Sequence, residues 1–149
     1  MRLTCLFRRT SRSTTTEQEE WNSILWAEAR LDWIIVDMRD VREIRTEEEM
    51  RALLEESKTA TVVLFKYSPT CGISHVAQEA WGTWTENAPA GFVLACCDVI
   101  AARGAARGIS SWVRVLHQSP QVMVLRDGIC IAHASHYSIT EAWLRSLAA

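Results

Sequence analysis

The stretch Thr61-Val62-Val63-Leu64-Phe65-Lys66-Tyr67-Ser68-Pro69-Thr70-Cys71-Gly72-Ile73-Ser74 carries the reading of the fold. Its first five residues are apolar or β-branched and too few for a helix, the composition of a central strand buried on both faces. Lys66 to Thr70 is polar and includes a proline, which forces a turn. From Cys71 onward the pattern becomes helical through Val76, Ala80, Trp81 and Trp84 and stops near Pro89-Ala90-Gly91. A strand, a tight loop, a cysteine and a helix therefore follow one another directly.

Working outward, residues 92–99 read as a second buried strand and 101–113 as a helix. Residues 121–125 and 129–133 read as two strands joined by Asp127-Gly128, a dipeptide suited to a two-residue hairpin turn. A last helix is expected over 140–148. Upstream, Thr46 is placed to cap a helix over 46–57, with Glu47, Glu48 and Glu49 in its first turn and Met50, Leu53 and Leu54 along its apolar stripe. Helices alternating with strands and a terminal hairpin predict an α/β domain, a mixed sheet covered on both faces, in the order of the thioredoxin fold. That domain is expected over 46–149. Residues 1–45 are expected to be an extension: a disordered Arg-, Ser- and Thr-rich tail to Thr16, a short helix over 17–29 and an edge strand over 33–36.

The chain has 149 residues, 48% of them hydrophobic, and a formal net charge of −2, enough apolar material for one core and no basic surface for nucleic acid. No apolar run reaches the roughly 18 residues that span a bilayer, so no membrane partner is expected. The basic start lacks the continuous apolar segment of a secretory signal. The five cysteines, Cys5, Cys71, Cys96, Cys97 and Cys130, have no repeated metal-type spacing and read as thiols of a reducing compartment.

Cys71 is where the chemistry concentrates. A cysteine at a helix start faces unpaired backbone N–H groups and the positive end of the helix dipole, and both favour thiolate over thiol. Ser74 lies on the same first turn and can donate its hydroxyl to the sulfur, and Lys66 at the strand end is expected to supply a nearby positive charge. Position 74 is Ser and not Cys, so no disulfide can close within the motif. Monothiol exchange follows: the sulfur attacks a mixed disulfide, takes up a small thiol, and is restored by a second one.

Ser119-Pro120 stands just before the third of these core strands, where proteins of the thioredoxin fold hold a cis bond facing the active cysteine. Three blocks then occur in order: Phe65 to Ser74, His117-Gln118-Ser119-Pro120-Gln121, and His133-Ala134-Ser135-His136 with Ile139-Thr140. Together they resemble the monothiol bacilliredoxins of the bacillithiol system. The resemblance implies removal of bacillithiol from S-bacillithiolated client proteins with Cys71 as nucleophile. It implies bacillithiol as a cosubstrate with no tightly bound cofactor, and a substrate groove along Gly72, Ile73, Ser119, Pro120, Gln121 and His136. Three positions depart from the family's usual pattern. Gly72 replaces a common Pro and is expected to loosen the loop, Tyr67 replaces His, and Arg114 replaces a Gly, which implies a different helix exit.

A monothiol glutaredoxin, using glutathione or carrying an iron-sulfur cluster, is the nearest rival, because its Cys-Gly-Phe-Ser differs from Cys71-Gly72-Ile73-Ser74 at one position. It carries a Gly-Gly-Asp segment after the hairpin, where this chain has Ala132-His133-Ala134-Ser135-His136. A redox-silent binding module of the same fold is the other alternative. Cys96, Cys97 and Cys130 read as core residues of strands rather than resolving thiols. Trp81 and Trp84 read as helix packing. His75 sits four residues after Cys71, but cationic His is disfavoured at a helix N-terminus and no metal site is expected. The basic start also resembles a transit peptide in composition. The bacillithiol resemblance instead favours a bacterial cytoplasmic protein.

Overall fold

Several helices and strands of the core are set by a local signal that the tertiary structure completes. The computed structural model describes residues 41–148, which lie in the second of two units, 1–36 and 37–149. The elements are β1 (Val41–Glu43), α1 (Glu47–Glu56), β2 (Thr61–Tyr67), α2 (Gly72–Thr85), β3 (Phe92–Asp98), α3 (Arg103–Trp112), β4 (Gln121–Arg126), β5 (Ile129–Ser135), a single 3-10 turn (His136–Ser138) and α4 (Glu141–Ser146). The strands form one five-stranded sheet in the order β1-β3-β2-β4-β5. β1 and β2 run parallel to β3, whereas β4 runs antiparallel to β2 and to β5. This is the mixed, two-faced α/β sheet expected from the sequence.

Thr46 caps α1 through a complete capping box: its hydroxyl accepts the Glu49 N–H at 3.2 Å and the Glu49 carboxylate accepts the Thr46 N–H at 3.1 Å. Asp127 and Gly128 both have positive φ, 55° and 75°, as a tight turn matching the strand twist requires. The hairpin is tied down by Ser57, whose carbonyl accepts the Asp127 N–H at 2.8 Å and whose hydroxyl accepts the Gly128 N–H at 3.0 Å.

Strand alternation divides the core into two layers. Val62, Leu64, Cys97, Met123 and Leu125 pack against Met50 and Leu53 of α1 and Ala106 and Ile109 of α3. On the other face Val63, Phe65, Val122 and Val124 pack against Ala77, Trp81 and Trp84 of α2 and Leu144 of α4. Phe65 stacks on Trp81 with centroids 5.3 Å apart, and Trp81 meets Trp84 at 5.5 Å, so both tryptophans are packing residues. Burial of each such large side chain contributes on the order of 1.5–3 kcal/mol.

Two expectations need correcting. Val41–Glu43 pairs with Leu94 to Cys96 as an edge strand, so the sheet begins ahead of the expected domain boundary at residue 46. The α3 exit also keeps the geometry that a glycine would adopt. Arg114 has φ of 56°, its N–H donates to the Ser111 carbonyl at 3.3 Å, and the Val115 N–H donates to the Ser110 carbonyl at 2.9 Å. That is the left-handed helix stop usually made by Gly, here carried by an arginine. The expected tail to Thr16, the helix over 17–29, the strand over 33–36 and Cys5 lie outside the described residues.

Candidate active site

β2 ends at Tyr67, and Ser68-Pro69-Thr70 turns the chain back so that Cys71 becomes the N-cap of α2. Its backbone is extended, with φ −106° and ψ 119°, and its N–H donates to the Ser68 carbonyl at 3.2 Å. Cys71 is partly exposed, while Ser74 beneath it is fully buried. The Ser74 N–H, then the Ile73 N–H, hold the Cys71 thiol below its ordinary range against the opposing effect of burial, and the Ser74 hydroxyl adds a lesser lowering. The Ser74 N–H also closes the first helical turn on the Cys71 carbonyl at 3.0 Å. The Ser74 hydroxyl in addition accepts the Ser68 N–H at 3.1 Å, which pins the loop over the helix start. Gly72 is exposed, and no atom outside its own helix and chain neighbours lies within 4 Å of where its Cβ would stand.

Lys66 does not join this site. Phe65 and Tyr67 point to the α2 face, so Lys66 between them points to the α3 face. There Nζ donates to Ser110 Oγ at 2.7 Å and to the Ala106 carbonyl at 3.5 Å, and lies 3.1 Å from His117 Nδ1. Burial pulls its pKa down to about 8, opposed by the neighbouring Cys97 and Cys130 thiols. The expectation that Lys66 stabilises the Cys71 thiolate is therefore corrected by strand parity. Ser110 and His117, its actual partners, had no assigned role in the sequence; the spacing of Ala106 and Ser110, one helical turn apart, was the available signal.

The β2–β4 register pairs Lys66 with Gln121, so the start of β4 lies at the same end of the sheet as Cys71. The Ser119-Pro120 peptide bond is cis. His136, in the left-handed region with φ of 53°, donates its N–H to the Pro120 carbonyl at 3.0 Å and joins the third sequence block to the second. Gln121 is fully buried, and its side chain is spent within the protein. Nε2 donates to the Leu116 carbonyl at 3.0 Å and Oε1 accepts the Gln118 N–H at 3.5 Å. It braces the loop rather than reaching a substrate, a second correction. The Ser119 hydroxyl is enclosed and has no hydrogen-bond partner among the described residues.

Cys71, Cys96, Cys97 and Cys130 are all free thiols, and only Cys71 is shifted toward thiolate. Burial, reinforced by Glu43 and Cys97, pushes Cys96 up to about 12. Burial likewise pushes Cys97 up to about 11, opposed by Lys66, and raises Cys130 against hydrogen bonds from backbone groups. Among the described residues no group of three or more His, Cys, Asp or Glu is arranged to hold a metal ion, and no helix is long and apolar enough to cross a membrane.

A family model for monothiol bacilliredoxin BrxC matches residues 42–144. The chain belongs to the monothiol bacilliredoxin family. Among solved structures it is similar to a protein described as a candidate oxidoreductase with a thioredoxin fold, at 20% identity and a TM-score of 0.65 over 75% of this chain and 96% of the other. It is also similar to Fasciola hepatica thioredoxin, at 22% identity and 0.58 over 71% and 94%, and to mitochondrial thioredoxin 3 of Saccharomyces cerevisiae, at 18% and 0.56 over 71% and 91%. These neighbours show the thioredoxin fold. Family membership gives the protein a thiol redox role, and the bacilliredoxin blocks read from the sequence fall on one end of its sheet.

Proposed function

We propose that this protein is a monothiol thiol-disulfide oxidoreductase that removes bacillithiol from S-bacillithiolated proteins in a bacterial cytoplasm. The observation that carries the reading is Cys71: a partly exposed thiol held toward its thiolate by the first-turn N–H groups of α2, with Ser at position 74. The Cys71 thiolate attacks the small-thiol sulfur of the mixed disulfide. A new Cys71–bacillithiol disulfide forms, the old S–S bond breaks, and the client leaves as thiolate. A second bacillithiol thiolate then attacks the adduct, releasing Cys71 and a bacillithiol disulfide. Across the cycle one mixed disulfide and one bacillithiol thiol become one client thiol and one bacillithiol disulfide, so atoms and electrons balance with bacillithiol as cosubstrate. Gly72, Ile73, Ser119, Pro120 and His136 would border the bound disulfide.

The test is intact-protein mass after incubation with a bacillithiol mixed disulfide, beside the glutathione equivalent and beside Cys71→Ser. An adduct confined to Cys71 and formed in preference with bacillithiol is expected. Preference for glutathione would replace this reading with a glutaredoxin-type activity. Full exchange by Cys71→Ser would overturn the mechanism.

A further inference from the structure

Lys66 is fully buried, yet among the described residues none of its hydrogen-bond partners is a carboxylate. Gln121, its register partner across β2 and β4, is also fully buried. Both spend their side chains on the segment ahead of Ser119-Pro120, Lys66 on the His117 ring and Gln121 on the Leu116 carbonyl and Gln118 N–H. Two buried polar groups are thus committed to shaping one loop.

His117 Nδ1 has two neighbours, Lys66 Nζ at 3.1 Å and the Ala106 carbonyl at 3.2 Å. It cannot donate to the carbonyl and accept from the amine at once. An ammonium has three donors and no lone pair, so while Lys66 is protonated Nδ1 beside it is the acceptor and the ring proton sits on Nε2. Burial, then the charge of Lys66, holds His117 below its ordinary pKa, against the contact with the Ala106 carbonyl. The ring is half-buried, and among the described residues Nε2 has no hydrogen-bond partner. With the ammonium behind the ring and Arg107 close enough to act on it electrostatically, this face favours an anionic acceptor.

We propose that Lys66 is a positioning residue that fixes His117 as the Nε2–H tautomer, so that at neutral pH the loop leading into Ser119-Pro120 offers a donor to a carboxylate on the mixed-disulfide substrate. The inference deepens the exchange reading of Cys71 and, for its kinetic part, rests on it.

Two measurements on the full chain test it. Nitrogen-15 NMR of His117 at neutral pH is expected to show the Nε2–H tautomer in the wild type and a shift toward Nδ1–H, donating to the Ala106 carbonyl, in Lys66→Met. An Nδ1–H tautomer in the wild type overturns the proposal, and needs no variant that folds. This readout also stands if no exchange activity is found, which would remove the Cys71 reading instead. In steady-state exchange, Lys66→Met is expected to raise KM about tenfold, the loss of one hydrogen bond to a charged group, with kcat within about twofold. His117→Ala should do the same, and His117→Gln, whose amide N–H needs no tautomer, should restore KM and make it insensitive to Lys66→Met. Equal losses from Lys66→Met in both backgrounds would mark a purely structural role and sink the idea. Peptide mixed disulfides with 3-mercaptopropionate and with 2-mercaptoethanol locate the acceptor: a KM penalty with the first alone puts the carboxylate on the small thiol, a penalty with both puts it on the client, and a penalty with neither refutes it.

Discussion

Replacing Gly72 by proline is expected to stabilise the protein and leave the Cys71 thiol where it is. Gly72 is the first residue of α2, a position whose N–H has no partner inside a helix and whose φ suits proline. Cys71 before it already has the extended backbone, φ −106° and ψ 119°, that a following proline demands. A Cβ at position 72 would meet no atom beyond its own helix within 4 Å, so ring atoms have room on that side. The N–H groups that favour the thiolate belong to Ser74 and Ile73, not to Gly72. Restricting the unfolded chain at a compatible site is worth about 0.4–1 kcal/mol. For a domain of this size, 1 kcal/mol raises Tm by roughly 4–8 °C. Thermal unfolding under reducing conditions reads the stability, and the ultraviolet absorbance of the thiolate reads the titration. A lower Tm, or a thiol titration that moves, would show that the Gly72 N–H or the looseness of the loop contributes to the site, and would refute the reasoning.

Arg114→Gly should also stabilise. A non-glycine residue in the left-handed region costs about 1–2 kcal/mol, and the added freedom of glycine in the unfolded chain returns about 0.5–1 kcal/mol of that. A net gain of about 0.5–1 kcal/mol in urea unfolding is expected, and a loss would mean that the Arg114 side chain contributes more than its backbone costs. Ser74→Ala should raise the Cys71 pKa only in part, because two backbone N–H groups remain, while orphaning the Ser68 N–H costs about 1 kcal/mol of stability. The rate of Cys71 alkylation against pH checks the first part: it should rise through a midpoint below the ordinary thiol value in the wild type and closer to that value in the variant. Lys66 titrates near 8 in the folded protein and near 10.5 when unfolded, so between those values the unfolded state binds more protons and the Lys66 contribution to stability rises with pH. Cys96, Cys97 and Cys130, whose values are raised, act in the opposite direction over the same range. The difference in unfolding free energy between wild type and Lys66→Met isolates the lysine, and it should shift in favour of the wild type from pH 8 to 10.

Much of this protein is written locally. Thr46 and Glu49 make a capping box within four residues, Asp127-Gly128 makes a turn within two, and Cys71 meets its N–H donors within three. Each needs only neighbours in the chain, so composition and spacing suffice to read them. The order of strands and helices was legible for the same reason, and with it the position of Ser119-Pro120 at the start of β4.

The features that escaped a linear reading depend on partners far along the chain. Val41–Glu43 is too short and too charged to declare itself a strand, and becomes one only because Leu94 to Cys96 offers a parallel edge. Gln121 reads as an ordinary strand residue until the loop at 116–118 closes over it. Lys66 is the sharpest case. The sequence placed it five residues before Cys71, and proximity in the chain made it a neighbour of the sulfur. A strand sends alternate side chains to opposite faces, and α2 packs on the face of Phe65 and Tyr67. The sequence by itself placed Cys71 at a helix start; only the packing of α2 and α3 on opposite sides of the sheet decided that Lys66 serves His117 instead.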